Sequence, residues 1–221
     1  MIITIDGPTA SGKSTVGALL AQRLGYYYIN SGLLFRALAY LLAARHHAVQ
    51  SQDYDRDSLN ELIQGCTYDY HPTDGARISY DSVDITPFLK EKTIDTISSK
   101  LSTHLIFRDI VLEWQRRLAH THNSVVDGRD TGTAVFPDAQ YKFFLTAELP
   151  VRAARWAKDQ LKRGNRYSQS EAERLVNERD KRDKERVHSP LRMPDDAIMI
   201  NSSTLSSDQV VDMMVNIIEK K

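Results

Sequence analysis

Residues 7 to 14 read Gly-Pro-Thr-Ala-Ser-Gly-Lys-Ser, an unbroken G-x-x-x-x-G-K-[ST] element, and it restricts this chain more than any other string in it. The run ahead of it, Met1-Ile2-Ile3-Thr4-Ile5, has a buried-strand pattern. Behind it, Val16, Leu19, Leu20 and Leu24 recur at helical spacing. Strand, glycine loop and helix N-terminus are the context the element requires. In that geometry successive backbone N–H groups wrap a polyphosphate, and the positive end of the helix dipole points at it. Lys13 is expected to reach the β- and γ-phosphates, and the Ser14 hydroxyl to bind Mg²⁺. A glycine-rich turn without a ligand has no need of Lys-Ser at its end. The expectation is a site for a nucleoside triphosphate.

The 221 residues suit one fairly large α/β domain, or a core with small insertions. Lys plus Arg and Asp plus Glu are both 29, so no global field recruits nucleic acid or an anionic membrane. Neither is expected as a partner. Anion recognition must then come from local clusters of arginine. The single cysteine, Cys66, rules out an internal disulfide and a cysteine-rich zinc site, and reads as filler beside a strand. With no long apolar span and no basic-then-apolar leader, the expected location is the cytoplasm.

Periodicity predicts strands at 2–6, 26–29, 124–127, 141–145 and 197–200. It predicts helices at 13–24, 32–47, 148–162, 169–187 and 205–219, with further helical patterns from 86 to 119. Strands alternating with helices argue for a parallel sheet covered on both faces. Residues 66 to 85 differ: they alternate and turn, as in a small antiparallel hairpin or three-stranded patch inserted on that sheet.

The arginines choose among nucleotide-binding chemistries. Asp127-Gly128-Arg129-Asp130 follows a strand, so it falls at the C-terminal rim of the sheet, where ligands bind in open α/β folds. Arg179, Arg182 and Arg186 recur at three- and four-residue spacing along the late helix. Such a row can surround transferring phosphoryl oxygens with planar, permanently charged forks. It can equally be a solvated salt-bridge helix, because Glu178, Asp180, Asp183 and Glu185 are interleaved with it. Arg152 and Arg155, one turn apart, carry the same ambiguity.

Four stretches together resemble the bacterial cytidylate kinases, of the nucleoside monophosphate kinase group. They are Ile3 through the glycine loop, Asn30-Ser31-Gly32-Leu33-Leu34-Phe35-Arg36, Asp127 through Ala139 with its D-G-R-D-T-G-T-x-V-F-P-D-A string, and Glu178-Arg179-Asp180-Lys181-Arg182-Asp183 through Ser189-Pro190-Leu191. The resemblance implies a P-loop three-layer α/β sandwich with a parallel central sheet. A core of about 1–30, 104–155 and 190–221 would carry a monophosphate-binding lobe at 31–103, with the antiparallel patch, and an arginine-bearing helical lid at 156–189. It implies transfer of the γ-phosphate of ATP to CMP and dCMP with Mg²⁺, by a monomer. Gly7, Pro8, Thr9, Ala10, Ser11, Gly12, Lys13, Ser14 and Thr15, with Arg155, would hold ATP. Ser31 and Asp130 would bond the cytosine or its surroundings, Phe35 would pack on the base, and Ser99 would touch the same pocket. Arg36, Arg108 and Arg129 would grip the acceptor, and Arg179, Arg182 and Arg186 would close over the reacting phosphates. Asp183 would orient nearby arginines or the sugar hydroxyls. Lys13, Arg129, Arg179 and Arg182 would carry the catalytic charge.

The chain departs from that pattern at Asn30 (commonly Asp), Phe35 (commonly Tyr) and Trp156 (commonly Arg). Trp156 leaves the role of Arg155 open, and could itself stack on adenine. His46-His47 at a helix end and His120-x-His122 read as surface residues. Rival readings are a P-loop kinase for UMP or for a non-nucleotide acceptor, and a nucleotide-dependent switch. No N-K-x-D guanine-reading motif supports the switch.

Overall fold

Ile3 and Ile5 alternate with Thr4 and Asp6 along β1 (Ile2–Asp6), and all four are buried. A strand buried on both faces needs a covering layer on each side. The computed structural model, which describes residues 1–45 and 54–220, supplies both. After β1 come α1 (Lys13–Leu24), β2 (Tyr27–Asn30), α2 (Ser31–Arg45) and α3 (Arg56–Gln64). Three short strands follow, β3 (Cys66–His71), β4 (Gly75–Tyr80) and β5 (Val83–Asp84), then a 3-10 turn at Thr86–Lys90. Next are α4 (Lys92–Leu101), α5 (Leu105–Ala119), β6 (Ser124–Gly128), a π-type turn at Thr131–Val135, and β7 (Tyr141–Thr146). The chain ends with α6 (Leu149–Leu161), α7 (Gln169–Glu185), β8 (Ile198–Asn201) and α8 (Ser207–Glu219).

Among the described residues the central sheet is parallel throughout, in the order β2-β6-β1-β7-β8. Ile3, Ile5, Phe143 and Leu145 face α1 and α8, packing on Val16, Leu20, Val211 and Met214. Ile29 and Val126 face the other way, onto Leu34 and Leu38 of α2 and Ile110, Val111 and Trp114 of α5. Register pairs Asn30 with Asp127, and Asp127 with Ile5. The loops leaving β2, β6 and β1 therefore emerge side by side on one rim, the place where open α/β sheets bind ligands.

The antiparallel patch forms as expected, in the order β3-β4-β5. Its Tyr68 hydroxyl donates to Tyr28 O at 2.9 Å and accepts from Asn30 N at 3.0 Å, which ties the patch to the end of β2. Tyr27 packs against Tyr68, Tyr70 and the exposed His122 ring. Cys66 opens β3, half-buried, and burial pushes its thiol up to about 12, as suits filler.

Some boundaries differ from the pattern-based expectations. The sequence reading assigns no element to 56–64, yet α3 forms there. Asp55 caps it by accepting from Ser58 N at 2.8 Å, and Leu59, Leu62 and Ile63 are buried. The helical patterns expected from 86 to 119 resolve into the 3-10 turn, α4 and α5, with residues 102–104 between the two helices. His46 and His47 lie outside the described residues. Among the described residues no helix is long and apolar enough to cross a membrane.

Candidate active site

The glycine loop owes its path to two close approaches. Gly7 has φ +152, and a Cβ there would come within 2.0 Å of Leu145 O, so β7 admits no side chain. Gly12, with φ +98, turns the chain into α1. Lys13 Nζ donates to Pro8 O at 2.7 Å and to Ser11 Oγ at 3.2 Å, folding the buried side chain back over the loop. Burial, and then the nearby Arg129, pull its ammonium well below the usual lysine range against the attraction of Asp127, Asp6 and Asp180. Ser14 Oγ donates to Asp127 Oδ2 at 2.7 Å, and the Tyr28 hydroxyl reaches Oδ1 at 3.1 Å. Burial raises the Asp127 carboxyl, opposed by Ser14 and Lys13.

Backbone of this loop is clamped to α7. Thr9 N donates to Asp180 Oδ1 at 2.8 Å. The buried Arg152 donates to Thr9 O at 3.0 Å and pairs with Asp180, which resolves its ambiguity in favour of a structural clamp. Arg155 is held by Ser202 O at 2.7 Å and Ser202 Oγ at 3.0 Å. Trp156 packs its ring on Tyr167, centroids 4.8 Å apart. Asp6 fastens the loop after β6, accepting from Thr131 N, Thr131 Oγ1 and Gly132 N at 2.9, 2.7 and 2.7 Å. Burial nonetheless raises its carboxyl to about 6.

Opposite the glycine loop, arginines and carboxylates alternate. Arg36 and Arg179 both donate to Asp95, at 2.8 and 3.1 Å. Arg129 Nε donates to Asp183 Oδ2 at 2.8 Å. Asp130 receives Arg108 on one oxygen and Arg186, at 3.1 Å, on the other. The Arg108 guanidinium also lies 5.6 Å from the Phe35 ring centroid, while its buried Nε–H has no acceptor among the described residues. Burial pushes the Asp95 and Asp183 carboxyls up, but the adjacent guanidinium groups, Arg179 first for Asp95 and Arg129 first for Asp183, hold both below the ordinary range. Ser31 Oγ donates to Asp127 O at 2.6 Å, and a Cβ on Gly128 would strike that hydroxyl at 2.6 Å. Asn30 Oδ1 accepts from Leu33 N at 2.8 Å, so the amide caps α2 as an aspartate would.

Both ends open into one cleft of about 740 Å³. Its walls include Thr9 through Thr15, Arg155, Ser31, Phe35, Arg36, Ser99, Arg108, Arg129, Asp130, Arg179, Asp183 and Arg186. Gly7 and Pro8 lie behind the loop and shape it. Arg182 differs from the other expected arginines. It is absent from these walls, donating instead to Glu178 O at 3.5 Å on an exposed stretch of α7. At about 100° per residue, Arg179, Asp183 and Arg186 share a face, while Arg182 lies roughly 60° round from Arg179. Sequence reasoning misses Asp127 as a partner for Ser14, Asp95 altogether, and the pairing of Asp180, which it names only among the acids interleaved with the arginines, with Arg152. An aspartate closing the apolar strand Ser124-Val125-Val126 is a legible signal for the first. The other two sit in helical patterns with nothing local to mark them.

A family model described as cytidylate kinase matches residues 3–220. A protein named cytidylate kinase from Geobacter sulfurreducens is 36% identical over 222 residues, covering 100% of this chain and 94% of that one. Another of that name, from Burkholderia vietnamiensis, is 39% identical over 216 residues, covering 97% and 91%. A crystal structure of an uncharacterized protein from Eubacterium ventriosum shares the fold, with a TM-score of 0.55 at 13% identity and coverage of 100% and 99%. With a match over nearly its whole length, the chain belongs to the cytidylate kinase family.

Proposed function

We propose that this protein transfers the γ-phosphate of ATP to CMP and dCMP, giving the diphosphates. One observation carries the reading: Lys13 and the glycine-loop amides share a single cleft with Arg36, Arg108, Arg129, Arg179 and Arg186. Two anionic ligands facing each other across one water-limited space is what phosphoryl transfer between nucleotides needs. The acceptor's 5′-phosphate oxygen is already anionic, so no strong general base is required. Catalysis then consists of alignment and neutralisation of charge on the equatorial oxygens, supplied by Lys13 and by Arg129 and Arg179 from either side.

Ser14 Oγ and the buried Asp127 carboxylate suit Mg²⁺, which is bound by one or two carboxylates plus phosphates and water rather than by a protein cage. When present it would neutralise charge on the β- and γ-oxygens. Cytosine carries an N4 amino donor, and Asp130 is an acceptor on the cleft wall with Phe35 beside it. The Arg108 Nε–H, buried and without a partner among the described residues, is a donor suited to an acceptor atom of the incoming nucleotide. Uracil would set a carbonyl against the carboxylate, and unpaired polar groups of that kind discriminate strongly.

The test is coupled ADP release with ATP and Mg²⁺ against CMP, dCMP, UMP and AMP. Turnover with CMP and dCMP far above that with UMP and AMP is expected. ADP release indifferent to any monophosphate would defeat the reading in favour of a hydrolysing switch.

A further inference from the structure

Asp95 joins two walls of the acceptor end that share no other described ion pair. It lies on α4, one turn before Ser98 and Ser99 of the cleft wall. Its Oδ1 accepts from Arg36 Nε and Nη2 at 3.2 and 2.8 Å. Arg179 Nη1 reaches Oδ1 at 3.4 Å and Oδ2 at 3.1 Å. Arg36 belongs to α2, beside the acceptor, and Arg179 to α7, the lid. Sharing one carboxylate brings two guanidinium groups close together. Like charges at that range repel unless an anion lies between them, and the three side chains are only 22–23% exposed, so water screens them weakly. The described bonds use Arg36 Nε and Nη2 and Arg179 Nη1, which leaves N–H groups on each for a second anion.

We propose that Asp95 is a positioning residue that couples acceptor binding to the lid, holding Arg36 and Arg179 side by side so that one acceptor phosphate engages both. Asp95 does not touch the substrate, since two anions in contact would repel; it acts through the two arginines. The phosphate completes an alternating square of two cations and two anions. Filling the acceptor end thereby fixes the lid arginine over the reaction centre, and the lid orders when the acceptor is present. The inference rests on reading this end of the cleft as the monophosphate site.

Asp95→Asn, in the full chain, keeps the shape and removes the charge. Its kcat is expected to fall ten- to a hundredfold, because the two arginines part. The KM for CMP is expected to change less than about threefold, as the net positive charge gained attracts phosphate while alignment is lost. The KM for ATP stays the same. Asp95→Glu recovers part of kcat. Independently of turnover, saturating CMP should slow tryptic cleavage within residues 162–186 in the wild type and not in Asp95→Asn. A kcat within twofold of wild type overturns the proposal, as does equal CMP protection in both proteins. A loss that Asp95→Glu does not relieve, accompanied by a lower melting temperature, also overturns it, by marking Asp95 as support for α4. If wild type turns over CMP in these outcomes, only the coupling is lost; a wild type that ignores CMP refutes the acceptor reading as well.

Discussion

The two ends of the cleft present positive charge by opposite means. At the glycine-loop end the loop itself contributes backbone N–H groups and Lys13, with Arg155 on the adjoining wall, and its path is set by Gly7 against β7. Those dipoles cannot be titrated away and need no counter-ion. At the arginine end the field comes from side chains, and the structure balances them: Arg36 and Arg179 on Asp95, Arg129 on Asp183, Arg108 and Arg186 on Asp130. Buried charges without partners are costly, so a cage of guanidinium groups must bring its own carboxylates. A backbone cradle is rigid by construction, whereas the arginine cage is a network whose members can be exchanged for a ligand's oxygens.

The contrast is sharpest in Lys13→Ala, which removes the side-chain cation that the glycine loop itself brings to the cleft. Turnover should fall on the order of a thousandfold with the melting temperature nearly kept, measured by ADP release and calorimetry. Turnover near wild type would break the assignment. Asp130→Ala should do the reverse. It leaves Arg108 and Arg186 buried and unpaired, lowering stability by about 3–5 kcal/mol. It should also reduce kcat/KM for CMP about a hundredfold while KM for ATP changes little. Equal damage to both KM values would show that the two ends are not separable.

Within the lid, Arg179→Ala should cost tens of fold in kcat and Arg182→Ala less than about threefold, because only Arg179 faces the cleft. Matching losses would return Arg182 to the reaction centre. The smallest effect is read in pH. Asp6, at the donor end, has its folded value raised by burial to about 6, above 3.8 for the free group, so folding takes up a proton there between about pH 4 and 6. Its ionisation opposes folding, and that penalty is relieved as pH falls through 6. Asp183, at the arginine end, is shifted down by the adjacent guanidinium groups. The stability it gives is present above about 3.8 and is lost as pH falls through its folded value. Carboxyl-carbon NMR titration should show Asp6 titrating well above Asp183. The opposite order would undo the electrostatic contrast.

What could be read in advance follows the same division. The glycine loop, α1 and the rim position of Asp127-Gly128-Arg129-Asp130 were legible because each depends on neighbours in sequence: an apolar strand, a glycine where only glycine fits, a helix with its apolar stripe. The antiparallel patch was legible from alternation and turn residues. Helix α3 was passed over although Asp55 and the Leu59, Leu62, Ile63 spacing carried its signal. Spacing placed Arg179, Arg182 and Arg186 together, but a helix turns by about 100° per residue, and it set Arg182 on the shoulder. Trp156 meets Tyr167 across the turn between α6 and α7, a partner eleven positions on that no periodicity links to it.

Local order thus wrote the donor cradle directly into eight consecutive residues, since amides and a glycine path are properties of the backbone there. Which carboxylate answers which arginine was settled only when α2, α4, α5, α7 and the loop after β6 packed around one rim. Asp95 meets Arg179 across 84 residues, and Asp130 meets Arg186 across 56. A charge carries no mark of its partner along the chain. The pairing is chosen by the desolvation that folding imposes on all of them at once.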